Sequence, residues 1–117
     1  MPSMRSDASL AALRDIRNHI DLATRFIEGY DLAGFKADLR TLYAVTRCLE
    51  IISEASRRLS DDVKVRHSQI AWKQISGAGN IYRHDYEEVG AQLVWDTVAR
   101  ALPTLRAVVE HEIDRQA

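Results

Sequence analysis

Paired cysteines and long apolar runs are both missing from this 117-residue sequence. The single cysteine, Cys48, excludes an intramolecular disulfide, and it falls in an apolar helical pattern, where a free cysteine usually behaves as a small buried hydrophobe. No stretch approaches the roughly 18 apolar residues of a membrane span, and the first ten residues lack the apolar core of a secretion signal. We therefore expect a cytoplasmic protein without a membrane partner.

An excess of charge of one sign is missing as well. The 16 basic and 17 acidic side chains leave a formal net charge of −1, so no global field attracts a polyanion, and any contact with nucleic acid must be local. The composition, 46% apolar and 28% charged, is that of an ordinary globular chain. We expect a single domain over residues 1–117.

Helical periodicity is what the sequence contains throughout. A first periodic segment starts near Ser6, a suitable N-cap, and ends at Gly29, and a second runs from Phe35 to Leu59. Ser60 and the two aspartates after it predict the N-cap of a short helix, and another short helix is expected from Ser68. The stripes predicted to face the core, at spacings of three and four, are Leu10, Leu13, Ile16, Ile20, Ala23 and Ile27, then Leu39, Leu42, Val45, Leu49, Ile52 and Ala55 or Ser56.

A last helix is predicted from about Val89 to Ile113. Pro103 lies inside it and should kink the helix, or end one helix and start another. Its apolar stripe consists of Leu93, Val94, Val98, Leu102, Leu105, Val108, Val109 and Ile113. Since no segment has the period of a strand, we predict an all-α fold, an antiparallel up-and-down bundle of four main helices plus short helical pieces.

The stretch "GAGNIYRHDY", residues 77–86, interrupts this regularity. Glycine costs about 1 kcal/mol relative to alanine inside a helix, so Gly77 and Gly79 indicate either a helix break or the close approach of another backbone or a ligand. In a helix, Asn80, Arg83 and His84 share one face. An amide, a guanidinium and an imidazole together suit a phosphodiester, because arginine stabilises phosphoryl charge and histidine transfers protons near neutral pH. The same trio also suits an ordinary solvated surface.

Other polar and aromatic residues suggest no separate site. His19, His67 and His111 lie in different segments without the spacing of metal ligands, so we expect surface roles for them and no metal site. The C-terminal "VVEHEIDRQA" reads as a solvated helix end. Trp72 and Trp95 are expected to pack in the core or in an interface.

Three motifs in order resemble the HepT-like toxins of the HEPN superfamily. They are "LEIISEA" at 49–55, the approach "ISGAGN" at 75–80 to a His-x-Tyr pair at 84–86, and Trp95 followed by Leu102, Pro103 and Leu105. The resemblance covers most of the chain, from the first helix to the last. It implies a HEPN-like, all-helical homodimer.

The resemblance also implies an activity and a partner. Two copies of an Arg-x-x-x-x-His-x-Tyr motif would face each other across a cleft and form a metal-independent ribonuclease site that needs no cofactor. A cognate MNT-type nucleotidyltransferase antitoxin would silence this toxin by adenylylating the motif tyrosine. In this sequence His84 matches the motif histidine, Tyr86 the modified tyrosine, and Asn80 the asparagine that usually follows the motif arginine.

One departure from the motif stands at position 79, where Gly79 replaces the arginine. Arg83 lies four residues later and is displaced along a helix by roughly 6 Å. It is the candidate replacement, unless a dimer mate supplies the charge. The alternative is a catalytically degenerate chain that acts as a dimeric binding partner of the nucleotidyltransferase.

Three further residues are candidate supports for the site. Glu54 matches an acidic position of the family and is expected either to brace Arg83 or His84 or to pair with Arg57 or Arg58. Arg47 is expected either to touch phosphate or to remain solvated. Asp85 lies between the motif histidine and tyrosine.

Overall fold

The structure is a computed structural model that describes residues 4–77 and 88–116. The first four helices are α1 (Met4–Phe26), α2 (Leu32–Ala37), α3 (Leu39–Arg57) and α4 (Asp61–Arg66). Residues 72–77, here α5, are also helical. They are followed by α6 (Glu88–Asp96), a π-helical turn (Thr97–Ala101) and α7 (Leu102–Gln116). No strand occurs in these two ranges. The predicted all-α class is confirmed, with α1, α3, α6 and α7 as the main helices.

The first helix packs its predicted stripe into the core. Leu13, Ile16, Ile20 and Ala23 are all buried. The helix begins at Met4 rather than near Ser6, a difference of the size usual at helix ends. After the helix, Gly29 has a φ of 85°, a left-handed backbone that glycine adopts without steric cost.

The predicted helix from 35 to 59 is divided into α2 and α3 by Asp38. This residue has φ −109° and ψ 93°, and its carboxylate accepts a hydrogen bond from the Thr41 backbone N–H at 3.2 Å. A short polar side chain competes with the helical backbone in this way and starts a new helix. The stripe prediction is otherwise confirmed from Leu42 onwards, but Leu39, in the first turn of α3, is 57% exposed.

The proline of the last helical stretch is matched by a π-helical turn. The Leu102 N–H bonds to the carbonyl of Thr97, five residues earlier. Pro103 has no N–H, and its ring crowds the carbonyl four residues before it, that of Ala99, so a widened turn at this point relieves the conflict. The irregularity predicted at Pro103 is therefore present as a π turn that separates α6 from α7.

The core lies around α1, which packs against both α3 and α7. Cys48 is buried in this core, which confirms the prediction of a small buried hydrophobe, and burial raises the pKa of its thiol. Phe35 of α2 is fully buried and packs against Trp95 of α6 with ring centroids 5.3 Å apart. None of the described helices combines the length and the hydrophobicity required to cross a membrane.

Candidate functional site

The predicted site residues Asn80, Arg83, His84, Asp85 and Tyr86 lie outside the described residues. Their roles therefore stay predictions. The structure does describe the chain on both sides of this segment, up to Gly77 at the end of α5 and from Glu88 at the start of α6.

Ser76, one residue before the end of that described range, is tied to α3 by two serines. The Ser53 hydroxyl donates to the Ser76 carbonyl at 2.9 Å, and the Ser56 and Ser76 hydroxyls lie 3.1 Å apart. Ser53 and Ser56 are buried, so these hydroxyls need partners inside the protein. The entry to the predicted motif is thus fixed on the middle helix.

Arg57 binds the same carbonyl from the surface of α3. Its Nε and Nη2 groups donate to the Ser76 oxygen at 3.1 and 2.6 Å. The side chain is exposed, and among the described residues no carboxylate lies within 4 Å of its nitrogens. A fixed guanidinium that pairs with none of the described carboxylates therefore lies at the entry to the motif.

The two supporting residues on α3 are both exposed. Arg47 pairs with Glu50 at 3.3 Å and has 65% of its side chain exposed, which leaves its predicted phosphate contact untested. Glu54 pairs with neither Arg57, which binds Ser76, nor Arg58, which pairs with Asp15 at 2.8 Å. The structure therefore contradicts the ion-pair alternative for Glu54, whereas the role of Glu54 as a brace stays a prediction.

A cavity of about 770 Å³ opens beside the entry to the motif. Its walls come from α3, the 69–77 region and the stretch from α6 to α7, and they include Leu49, Ile52, Ile75, Gly77, Leu93 and Leu102. A Cβ atom added to Gly77 would meet nothing within 4 Å. Crowding by the described residues consequently does not explain the glycine.

Comparison with known proteins supplies the identity that the geometry alone does not. Residues 16–112 match the family model of the HepT-like ribonucleases. The chain belongs to the HepT-like ribonuclease family. Because the match runs from α1 to α7, it includes the segment that carries His84 and Tyr86.

Relatives of this HepT-like chain cover nearly the same range. A probable ribonuclease HepT of Thermococcus cleftensis is 34% identical over 98 residues, which are 84% of this chain and 89% of that protein. A putative RNase of Methanocaldococcus jannaschii is 33% identical over 100 residues, 86% of this chain and 92% of that protein. A putative RNase of Caldanaerobacter subterraneus is 27% identical over 104 residues, 89% and 93% of the two chains. No solved structure matches the chain.

A second polar cluster in this HepT-like fold was not predicted from the sequence. Glu112 of α7 is fully buried, and its carboxylate accepts hydrogen bonds from Arg66 at 2.6 and 3.2 Å. His67 Nε2 lies 2.6 Å from the same carboxylate, and the His67 ring meets that of His111 edge-on with centroids 5.8 Å apart. Hydrogen bonds from Arg66, more than those from His67, lower the pKa of Glu112 from 4.5 to about 2.

This cluster corrects two predictions. The C-terminal segment is not wholly solvated, because Val109, Glu112 and Ile113 are buried, and His67 is not a surface histidine, because only 13% of its side chain is exposed. The helical spacing could have indicated the burial of Glu112, since position 112 follows Leu105 and Val108 at helical intervals and therefore faces the core. Within residues 4–77 and 88–116, no three His, Cys, Asp or Glu side chains are arranged to hold a metal ion.

The cluster also holds the turn that precedes α5. The His67 carbonyl accepts hydrogen bonds from the Ile70 N–H and from Trp72 Nε1, both at 3.0 Å. Trp72 begins α5, which carries Ser76 towards the motif. Glu112 therefore anchors the turn from which α5 starts.

Proposed function

We propose that this chain is a metal-independent endoribonuclease of the toxin type and that its site is the Asn80 to Tyr86 segment. The observation that supports the proposal is the family match over residues 16–112, which includes His84 and Tyr86 in the spacing of the motif. The ribonuclease names of the relatives agree with it. The proposed compartment is the cytoplasm, where RNA and an antitoxin would both be present.

The proposed chemistry uses the RNA's own 2′-hydroxyl. The 2′-oxygen forms a bond to phosphorus while the bond from phosphorus to the 5′-oxygen breaks, which leaves a 2′,3′-cyclic phosphate and a 5′-hydroxyl. His84 transfers the proton that this exchange requires, either from the 2′-hydroxyl or to the departing 5′-oxygen. Arg83 stabilises the charge on the phosphoryl oxygens, and Asn80 donates a hydrogen bond beside it. Glu54, Arg47 and Asp85 are the proposed supports.

The proposed assembly is a homodimer in which two motifs face one cleft. The open space beside Gly77 supports the approach of a second chain, because a Cβ atom added there would meet none of the described residues within 4 Å. A cognate MNT-type nucleotidyltransferase is the proposed antitoxin, and adenylylation of Tyr86 is the proposed means of silencing. Incubation with that enzyme and ATP should add one adenylyl mass to the wild type and none to Tyr86→Phe.

Cleavage of purified tRNA in EDTA tests the activity. We expect the wild type to produce fragments with 5′-hydroxyl ends, which a polynucleotide kinase labels without prior phosphatase treatment. His84→Ala should reduce the rate by about 100-fold or more, the usual contribution of a general acid or base. A wild type that is pure and dimeric but leaves tRNA intact would contradict the proposal.

A second candidate function is supported by Gly79, which occupies the position of the motif arginine. In this alternative the chain is a non-catalytic, dimeric partner of the nucleotidyltransferase. Expression of the chain alone in a bacterial host distinguishes the two. Growth arrest that His84→Ala abolishes favours the ribonuclease, and unimpaired growth with intact binding to the nucleotidyltransferase favours the partner.

A further inference from the structure

Arg57 differs from the other well-positioned arginines of this chain. Arginines whose guanidinium groups pair with carboxylates occur at positions 17, 47, 58, 66 and 106. Arg57 is held instead by a neutral group, the carbonyl oxygen of Ser76, through two of its five N–H donors. Its orientation is fixed, yet among residues 4–77 and 88–116 no carboxylate pairs with it and three of its donors have no partner.

The carbonyl that holds Arg57 lies next to the part of the motif that lacks an arginine. Ser76 precedes position 79 by three residues, a chain distance of at most about 11 Å. At position 79 the motif calls for a guanidinium and this chain has glycine. Arg57 thus brings a guanidinium from the middle helix to Ser76, three residues before the position at which the motif lacks one.

The bonds from Arg57 are not needed to satisfy the Ser76 carbonyl. That oxygen already accepts a hydrogen bond from the buried Ser53 hydroxyl at 2.9 Å, and the Ser56 hydroxyl holds the Ser76 side chain at 3.1 Å. A carbonyl oxygen has two lone pairs, and one donor already satisfies it. The additional pair of bonds orients the guanidinium more than it secures the backbone.

We propose that Arg57 binds a phosphate of the RNA substrate at the entry to the motif and supplies positive charge that Gly79 does not. The proposal rests on the ribonuclease function proposed above and adds a phosphate-binding residue from α3 to it. Planar guanidinium groups bind phosphate through paired N–H donors, and a group already fixed by protein contacts loses little freedom on binding.

The experiment compares four proteins in two assays. The variants are Arg57→Lys, which keeps the charge, Arg57→Gln, which keeps an N–H donor for Ser76 without charge, and Arg58→Ala as the matched control. Arg58 is the adjacent arginine and pairs with Asp15, so its removal alters net charge equally but away from the motif. Melting temperatures confirm that each variant is folded.

The first assay measures tRNA cleavage in EDTA. We expect Arg57→Gln to raise the KM for tRNA by about tenfold, the effect of losing one charge-assisted hydrogen bond. Arg57→Lys should recover part of this loss. The KM of Arg58→Ala should stay within about twofold of the wild-type value. The second assay measures binding of labelled tRNA in the His84→Ala background between about 50 and 200 mM NaCl. Arg57→Gln should reduce the slope of log affinity against log salt by about 0.7 to 0.9, the value for one phosphate contact.

The outcomes separate this proposal from the function on which it rests. If the wild type neither binds nor cleaves tRNA, the ribonuclease proposal fails and the role of Arg57 fails with it. If the wild type cleaves and Arg57→Gln behaves like Arg58→Ala, the ribonuclease proposal stands and only the role of Arg57 is overturned. A variant with slower cleavage but an unchanged salt slope would assign Arg57 to holding Ser76, which also overturns the proposal.

Discussion

Replacing the buried Glu112 by glutamine tests the anchor between α7 and the turn that starts α5. Glutamine has nearly the same shape as glutamate, so the change removes the charge without opening a cavity. Its amide keeps one acceptor oxygen, but its NH₂ group presents N–H donors to Arg66 or His67 where the carboxylate presents a second acceptor oxygen. One of these partners then loses its hydrogen bond, and both lose the negative charge of the carboxylate.

The magnitude follows from the environment of the carboxylate. A pKa lowered from 4.5 to about 2 corresponds to about 3 kcal/mol of stabilisation, and breaking a buried ion pair from one side usually costs about 3 to 5 kcal/mol. Arg66 has 35% of its side chain exposed and can regain water, which favours the lower figure. For a chain of 117 residues, about 3 kcal/mol lowers the melting temperature by roughly 12 °C.

The loss of stability caused by Glu112→Gln should become smaller as the pH falls. Because the folded pKa of Glu112 lies below the unfolded value of 4.5, its stabilisation is complete above pH 4.5 and is lost as pH falls towards about 2. The difference between wild type and Glu112→Gln should therefore be largest near neutral pH and shrink through this acid window.

Urea unfolding followed by circular dichroism, at several pH values, measures this difference. Glu110→Gln is the matched control, since Glu110 lies on the same helix and its partners Arg17 and Arg106, at 3.5 and 3.7 Å, are partly exposed. It should cost less than about 1 kcal/mol. Equal losses for the two variants, or a loss at Glu112 that does not change with pH, would refute the reasoning.

Two further predictions concern the core and Gly77. Phe35→Ala should destabilise the fold by about 3 to 5 kcal/mol because Phe35 is fully buried against Trp95. The control Phe26→Ala, at a residue that is 39% exposed, should cost about 1 kcal/mol. Similar melting temperatures for the two variants would contradict this prediction. Gly77→Leu should preserve or raise helicity, since leucine favours helices by roughly 0.8 kcal/mol over glycine and its Cβ meets none of the described residues within 4 Å. The same change should weaken dimerisation or partner binding. Light scattering and a pull-down that show an intact dimer and intact binding would reject the second prediction.

Much of the fold was predictable from local pattern. The N-cap role of Ser60 is confirmed by its hydroxyl, which accepts a bond from the Val63 N–H at 3.5 Å, and the buried stripe of α1 follows its helical spacing. These features depend on neighbours within one or two turns. The break at Asp38 was missed because an aspartate inside a helical pattern starts a new helix only when its side chain binds the backbone ahead of it.

The candidate site was predictable only in part. The motif spacing identified His84 and Tyr86 as candidates, but nothing local to Arg57 indicates that it binds the Ser76 carbonyl 19 residues later. The ion pair of Glu54 with Arg57 or Arg58, one of the two roles considered for Glu54, rested on helical proximity, and contacts from α1 and from Ser76 replace it. In both cases a contact between segments takes the place of a contact along one helix.

By itself the sequence determined that this protein is helical, where α1 ends and α4 begins, and which family motif it resembles, because periodicity, caps and motif spacing are all local to the chain. Only the tertiary structure decided which charges meet. Glu112 binds Arg66 and His67 from 46 and 45 residues away, and Arg58 reaches Asp15 across 43 residues. Such partners are chosen by how the helices pack, since the free energy of a buried charge depends on which donors the fold places around it.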